Sequence, residues 1–147
     1  MSLLATLLQA LDDDEQEMIA IRRQLHAHPE VSFHEKQTAA YIKAYYAALD
    51  MPVVPCGDGY GMYVDIEGGQ PGPKLALRAD FDALAIQEDN ELPFKSQNPG
   101  VMHACGHDAH TAYLLVLAKE LNKIKTQLSG SIRIIHQPAE EVARKSV

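Results

Sequence analysis

Segments with helical and with strand periodicity alternate along this 147-residue chain, and that alternation limits the possible folds more than any other feature. Apolar side chains recur every three or four positions in some segments, which predicts helices, whereas short apolar runs bounded by glycine and proline predict strands. The predicted helices span 4–25, 39–49 and 114–121, and the predicted strands span 61–66, 74–79 and 131–136. This order favours an α/β layer fold, in which loops at the strand ends carry the functional residues.

The boundaries of the first helices follow from short local signals. Pro29 is expected to end the N-terminal helical region, which the pattern leaves open as one long helix or two short ones. Ser32 and Glu35 have the spacing of a capping box, in which each side chain satisfies a backbone N–H group of the first helical turn. We therefore expect these two residues to begin the helix that ends near Leu49.

The charge, the apolar runs and the cysteine content argue against a nucleic-acid partner, a membrane span and a disulfide framework. The formal net charge is -7 and no segment is rich in Lys or Arg, so no nucleic-acid partner is expected. No apolar run is long enough to span a membrane and residues 1–4 lack the charged leader of a secretory signal, so we expect a cytoplasmic protein without membrane contact. Cys56 and Cys105 lie far apart, and both are expected to be reduced thiols.

Residues 103–110 contain three histidines, one cysteine and one aspartate. His103, Cys105 and His107 are spaced by two, so in an extended loop two or three of their side chains could ligate one cation. The alternative is a small buried cysteine beside histidines that cap the following helix, which is equally reasonable for an isolated Cys-Gly-His sequence. Carboxylates elsewhere in the chain favour the metal site, because sulfur, imidazole and carboxylate donors together suit zinc and its first-row neighbours.

Two acidic pairs follow predicted strands. Glu140 and Glu141 come after Pro138, which directs the chain out of the sheet, so one carboxylate can ligate a metal while the other acts as a base. The alternative is an exposed acidic pair on a surface helix. Asp82 could orient a metal-bound imidazole through its second nitrogen. The alternative for both aspartates is that they cap the next turn, which for Asp80 is about as reasonable.

The remaining histidines are expected to be mainly structural. His26 and His28 precede a proline at a helix end, where their side chains can bond to exposed carbonyl groups. His34 and His136 receive the same interpretation, and His110 is a weak candidate for a pocket wall.

Four segments carry a family resemblance in this order: residues 21–30, 77–84, 102–111 and 137–141. Together they resemble the amidohydrolase branch of the aminoacylase and carboxypeptidase metallopeptidases, which includes enzymes similar to hippurate hydrolase, N-acetyldiaminopimelate deacetylase and the auxin-conjugate hydrolases. The resemblance implies a three-layer α/β/α, zinc-peptidase-like catalytic domain with a mixed sheet. It also implies hydrolysis of N-acyl amino acids with two divalent metals, and zinc, manganese, cobalt and nickel remain open.

The resemblance assigns roles to particular residues. Cys105 would be the thiolate that bridges the two metals, and His107 and Glu141 would be further ligands. Asp82 would be the supporting carboxylate. Glu140 would be the general base, which takes a proton from the metal-activated water and passes it to the departing amine.

The resemblance also implies parts of the catalytic domain beyond residue 147. In the family, two more metal-ligating histidines lie downstream of the Glu-Glu pair, and a smaller lid and dimerisation domain is inserted after this point. We therefore expect residues 1–147 to be the N-terminal part of the domain, incomplete at its C-terminal side and without the lid. Activity would then require completion by a homo-oligomer or by a complementing C-terminal chain.

Two alternatives to this hydrolase remain. A non-catalytic remnant or metal-binding module would retain the fold and one metal and would show no turnover. A cysteine-dependent hydrolase would use Cys105 as its nucleophile beside a histidine, because a thiolate next to imidazolium is reactive.

Overall fold

The computed structural model describes residues 2–142, and its helices and strands confirm the predicted alternation. The helices are α1 (Leu3–Asp13), α2 (Glu15–Ala27), α3 (Lys36–Ala47) and α4 (His107–Lys123). The strands are β1 (Val54–Pro55), β2 (Met62–Glu67), β3 (Gln70–Asp80) and β4 (Ser129–Gln137). The N-terminal region thus forms two helices, and none of the described helices has both the length and the apolar character needed to cross a membrane. The predicted domain range continues through residues 143–147, which lie outside the described residues.

The strands form one mixed sheet in the order β1-β2-β4-β3. Strand β2 is antiparallel to β1 and β4, whereas β3 and β4 are parallel, so the chain between them crosses over through α4. Asp80 pairs with Gln137 at the ends of β3 and β4. The segments that follow these two strands therefore leave the same edge of the sheet, and this edge carries the predicted site.

The hydrophobic core lies between one face of the sheet and the helices. Alternate residues of β2, Met62, Val64 and Ile66, are buried there, as is Ile134 of β4. Helices α3 and α4 cover them with the buried side chains Ile42, Tyr46, Leu114, Leu115, Val116 and Ala118. Full burial of each large aliphatic side chain contributes about 1.5–3 kcal/mol, so this helical layer holds the sheet firmly.

The opposite face of the sheet carries polar side chains together with Ile135 and Ala76. Arg133 donates to both carboxylate oxygens of Asp65 at 2.8 and 2.7 Å and lies 3.9 Å from the centre of the Tyr63 ring. These side chains alternate with the core residues of the same strands, as the strand period requires. Residues 2–142 thus provide the sheet and one helical layer of the mixed α/β fold, and the third predicted layer remains a prediction.

The start of α3 corrects the predicted capping box. Glu35 occupies the N-cap position, but its side chain makes no capping hydrogen bond. Instead the Glu35 Oε1 atom accepts from the Ala139 N–H at 2.8 Å, and the Ser32 hydroxyl donates to Asp82 Oδ2 at 2.6 Å. The capping prediction is wrong because both side chains bind loops that come close only in the tertiary structure.

Glu30 provides the interaction that the capping box was expected to make. Its carboxylate accepts from the backbone N–H groups of Gln37 and Thr38 at 3.1 and 2.8 Å. These N–H groups belong to the first turn of α3, where no intrahelical acceptor is available. The backbone carbonyl of Glu30 also accepts from the Ala83 N–H, which links the start of α3 to the segment after β3.

Candidate metal centre

Loops after β3 and β4 and the loop before α4 meet at one edge of the sheet. Gly106 has a φ of 111°, a left-handed conformation that glycine adopts readily, and it turns the chain so that His107 begins α4. One ligand atom from each of Cys105, His107 and Glu141 lies within 4.8 Å of the other two. The structure therefore brings together the three residues that were expected to ligate metal.

Asp82 determines the orientation of the His107 ring. The His107 Nδ1 atom lies 3.0 Å from the backbone carbonyl oxygen of Asp82 and 3.2 Å from its Oδ1 atom. Because both partners are acceptors, Nδ1 donates to them, and Nε2 is the ring nitrogen left to face a metal. Nε2 lies near three carboxylate oxygens, from Asp80 at 3.4 Å, Glu141 at 3.6 Å and Glu140 at 3.8 Å. This arrangement is typical of metal-bound histidines.

The donor set at this edge fits a divalent cation. Glu141 Oε1 is buried and has no hydrogen-bond partner among the described residues. A buried carboxylate oxygen without a partner is unfavourable, and this one lies 3.6 Å from His107 Nε2. A cation among these atoms would satisfy both groups, and the combination of thiol, imidazole and carboxylate suits zinc and its neighbours.

Asp82 connects the two acidic loops as well as orienting His107. Its Oδ2 atom accepts from the Ser32 hydroxyl and from the Glu141 N–H at 3.0 Å. Burial raises the pKa of Asp82, but the hydrogen bonds from Ser32 and from the backbone N–H groups of the Glu-Glu pair outweigh that effect, so the pKa lies below its ordinary value of 3.8. Asp82 therefore remains ionised while it links His107 to Glu141.

Asp80 and His110 form a second group with His107 that sequence reasoning did not identify. Asp80 Oδ1 accepts from His110 Nδ1 at 2.7 Å, and the rings of His107 and His110 stack with their centres 5.5 Å apart. Their ligand atoms, with that of His107, also lie within 4.8 Å of one another. The sequence did contain one signal for Asp80: it lies two residues before Asp82 at the end of a strand. Residues spaced by two in a strand point to the same face, so Asp80 could be expected on the same side as Asp82.

His103 does not join the other members of its motif. It is buried, and neither ring nitrogen has a hydrogen-bond partner among the described residues. Burial lowers its pKa to about 4. Of the three residues spaced by two, Cys105 and His107 share a ligand group, as expected for two or three of them, whereas His103 is in neither group found among the described residues.

His26 anchors the first turn of α4. Its Nδ1 atom lies 2.7 Å from Asp108 Oδ2, its Nε2 atom lies 3.1 Å from Glu88 Oε1, and all three side chains are buried. Arg22 also pairs with Asp108, at 2.8 Å. His28, by contrast, bonds to a backbone carbonyl of α2 as expected. His26 and Arg22 thus fix the position of Asp108, which directly follows His107 in the chain.

The environment of Cys105 opposes ionisation of its thiol. A hydrogen bond with Glu141, followed by burial and by the charges of the nearby carboxylates, raises its pKa above the ordinary value of 9.0. Nucleophilic cysteines need the opposite shift, which positive neighbours provide. A bound cation reverses this balance and favours the thiolate, so the surroundings of Cys105 suit a metal ligand.

Comparisons with known proteins agree with this geometry. Residues 76–147 match the sequence model of Peptidase family M20/M25/M40. The chain is 52% identical over 131 residues to YhaA of Bacillus subtilis (strain 168), provisionally called an amidohydrolase, with 89% of this chain and 33% of that protein covered. It is 44% identical over 132 residues to the N-acyl-L-amino acid amidohydrolase of Geobacillus stearothermophilus, with 90% and 36% covered. The chain thus spans about a third of the length of these relatives.

A solved structure has the same fold. The YXEP protein of Bacillus subtilis, described as a dinuclear metal-binding peptidase of the M20 family, superposes with a TM-score of 0.83 at 42% sequence identity. The superposition covers 88% of this chain and 37% of the YXEP chain. The predicted mixed α/β fold and its resemblance to metallopeptidases are therefore confirmed.

Proposed function

Because residues 76–147 match Peptidase family M20/M25/M40 and the fold is that of an M20 peptidase, we propose that the chain forms the N-terminal part of a metal-dependent amidohydrolase that cleaves the amide bond of N-acyl amino acids. One observation carries this proposal: Cys105, His107 and Glu141 converge on a common point, and Glu140 lies beside them. The names of the relatives support the same reaction class, since they include an N-acyl-L-amino acid amidohydrolase.

In this proposal Cys105, the Nε2 atom of His107 and Glu141 would hold the metal. Asp82 is a positioning residue, because it holds the His107 ring and the Glu141 backbone. Zinc, manganese, cobalt and nickel all accept such donors. When bound, divalent ions lower the pKa of a water molecule and polarise the amide carbonyl.

Glu140 is proposed as the general base. Its Oε2 atom lies 3.8 Å from His107 Nε2 and its side chain is 41% exposed, so it reaches both the ligand cluster and the solvent. The carboxylate can take a proton from the attacking water and then deliver it to the amide nitrogen, which leaves as an amine. No described basic residue is needed for either proton transfer.

A metal-binding module without turnover is the second candidate. Residues 2–142 contain two candidate ligand groups, and both include His107. The two groups therefore compete for the same histidine. That sharing favours a single bound ion for the chain by itself. A hydrolase that uses Cys105 as its nucleophile is disfavoured because the neighbouring carboxylates raise the pKa of the thiol.

The test combines elemental analysis with hydrolysis of N-acetyl amino acids by the same sample of the chain. The proposal predicts that hydrolysis by the chain, once a second chain completes it, requires a divalent metal and is lost on chelation. Glu140→Gln should lower kcat by about 10²–10⁴ while metal binding persists. Glu91→Gln is the matched control, because Glu91 has a 95% exposed side chain and lies outside the cluster.

The other outcomes decide between the alternatives. One metal equivalent without turnover at any chain concentration would indicate the binding module. Activity per chain that rises with chain concentration would indicate completion by a homo-oligomer. Hydrolysis that survives chelation and disappears on alkylation of Cys105 would contradict the metal mechanism.

A further inference from the structure

An open cavity of about 820 Å³ lies beside the proposed general base. The loop 56–60 forms one wall, Phe33 and Glu35 form another, and residues 138–140 with Val142 form the third. Glu140 is thus shared between this cavity and the ligand cluster. A substrate whose amide carbonyl lies at that cluster can therefore extend one of its two halves into the cavity.

The cavity lining includes exposed apolar side chains. Phe33 is 44% exposed and Val142 is 50% exposed, and both line the cavity together with Tyr60 and Pro138. Large apolar side chains that surround one concave site indicate a binding surface. These side chains match a hydrocarbon group better than a charged one.

The backbone of the walls adopts conformations that are uncommon for residues other than glycine. Phe33 has a φ of 69° and Ala139 has a φ of 53°. Such left-handed residues cost energy and concentrate at functional sites. The buried Glu35 carboxylate holds the Ala139 N–H at 2.8 Å, so the wall next to Glu140 is fixed by a specific contact from the opposite wall.

The charges of the lining distinguish the two halves of an N-acyl amino acid. Glu35, Asp58 and Glu140 line the cavity, and within residues 2–142 no Lys, Arg or His side chain does. The amino acid half carries a carboxylate, which like charges would repel. The acyl half is uncharged in the simplest substrates and meets no such penalty.

We propose that this cavity receives the acyl group and selects neutral, apolar acyl groups against anionic ones. The inference rests on the proposed function for the position of the amide carbonyl, but binding in the cavity does not require turnover. Asp58 and Glu140 exclude a terminal carboxylate, and Phe33, Tyr60 and Val142 contact the hydrocarbon chain.

Cys56 provides a direct probe of occupancy, because its thiol is exposed and Cys56 lines the cavity. The 147-residue chain, with and without zinc, is treated with iodoacetamide, and alkylation of Cys56 and Cys105 is followed separately by peptide mass spectrometry. The competing ligands are N-hexanoylglycine, N-adipoylglycine, which has an acyl chain of the same length ending in a carboxylate, and glycine alone.

N-Hexanoylglycine should slow Cys56 alkylation about threefold at twice its dissociation constant. N-Adipoylglycine should need a concentration at least about fivefold higher for the same protection, because its second carboxylate meets Asp58 and Glu140. Equal protection by both acylglycines, protection by glycine alone, or no protection at all would each overturn the inference.

Charge reversal at Asp58 tests the source of selectivity. Asp58→Lys should remove the discrimination, so that N-adipoylglycine protects Cys56 as well as N-hexanoylglycine does. Asp12→Lys makes the same change at an exposed residue of α1 outside the cavity and should leave the discrimination unchanged. Protection is compared as a ratio within each variant, because a nearby lysine also alters the reactivity of the thiol.

The two proposals fail separately. Metal-dependent hydrolysis without acyl protection of Cys56 would overturn the cavity assignment and leave the proposed function intact. Selective protection by the neutral acylglycine without any hydrolysis would support the cavity and count against catalysis by this chain.

Discussion

Replacement of Asp82 by asparagine removes the charge of this carboxylate and keeps its shape. In the native protein Oδ2 accepts from Ser32 and from the Glu141 N–H, while Oδ1 lies 3.2 Å from His107 Nδ1. Asparagine has one carbonyl oxygen and one NH2 group. In either orientation the NH2 group therefore faces an N–H donor, of His107 or of Glu141, and one hydrogen bond must break.

The expected loss of metal affinity follows from these contacts. A hydrogen bond to a charged group contributes about 1.5–3 kcal/mol. Loss of the partner of a metal-bound histidine typically lowers affinity about 10–100-fold, which corresponds to about 1.4–2.7 kcal/mol. His107 Nδ1 keeps the backbone carbonyl of Asp82 at 3.0 Å, so the ring is not released completely. We therefore expect Asp82→Asn to weaken zinc binding about tenfold, at the lower end of that range.

The assay is a zinc titration in competition with a chromophoric chelator. Asp65→Asn is the matched control: Asp65 pairs with Arg133 on the opposite face of the sheet, so this variant should lower the free energy of unfolding slightly without changing zinc affinity. Zinc binding by Asp82→Asn within about twofold of the native value, or roughly 0.4 kcal/mol, would refute the reasoning.

Three further outcomes concern stability, measured by urea unfolding. The pKa of Asp82 is lower in the folded chain than its ordinary 3.8. The ionised carboxylate therefore stabilises the fold above pH 3.8, and this contribution is lost as pH falls through the folded pKa. In Asp82→Asn the free energy of unfolding should depend less on pH in this acidic range. Burial raises the pKa of Glu35, so the native chain should lose stability as pH rises through that pKa, and Glu35→Gln should remove this slope; an unchanged slope would count against it. Tyr46→Phe should lower the free energy of unfolding by about 1–3 kcal/mol, because it removes the hydroxyl that lies 2.8 Å from the buried Nε2 atom of His136. A smaller change would indicate that another group replaces the hydroxyl.

Short-range patterns were sufficient to predict most of the elements. The apolar periodicity of residues 39–49 and 114–121 corresponds to α3 and α4, and the run at 131–136 lies inside β4. These predictions succeeded because amphipathic periods of about 3.6 and 2 residues reflect burial on one face of a helix or strand. They also indicated that the loops after β3 and β4 would carry functional residues.

Local pattern failed where polar side chains had a choice of partners. Ser32 and Glu35 had the spacing of a capping box, yet they bind Asp82 and Ala139, which are 50 and 104 residues away. His103 had the spacing of a ligand, yet it lies in a separate buried environment near His26. The spacing of residues along the sequence indicates which local contacts are possible. The tertiary structure determines which contacts form.

The sequence alone determined the chemistry available to this protein, because a thiol, an imidazole and paired carboxylates in these motifs are a property of the residues themselves. It also predicted that Cys105 and His107 lie just before a helix and that the Glu-Glu pair follows a strand. Only the tertiary structure decided that ligand atoms of Cys105, His107 and Glu141 lie within 4.8 Å of one another and that Asp82 orients His107. It also placed Asp80 beside the cluster and opened a cavity next to Glu140. The physical reason is the parallel pairing of β3 with β4, which brings together loops that are far apart along the chain.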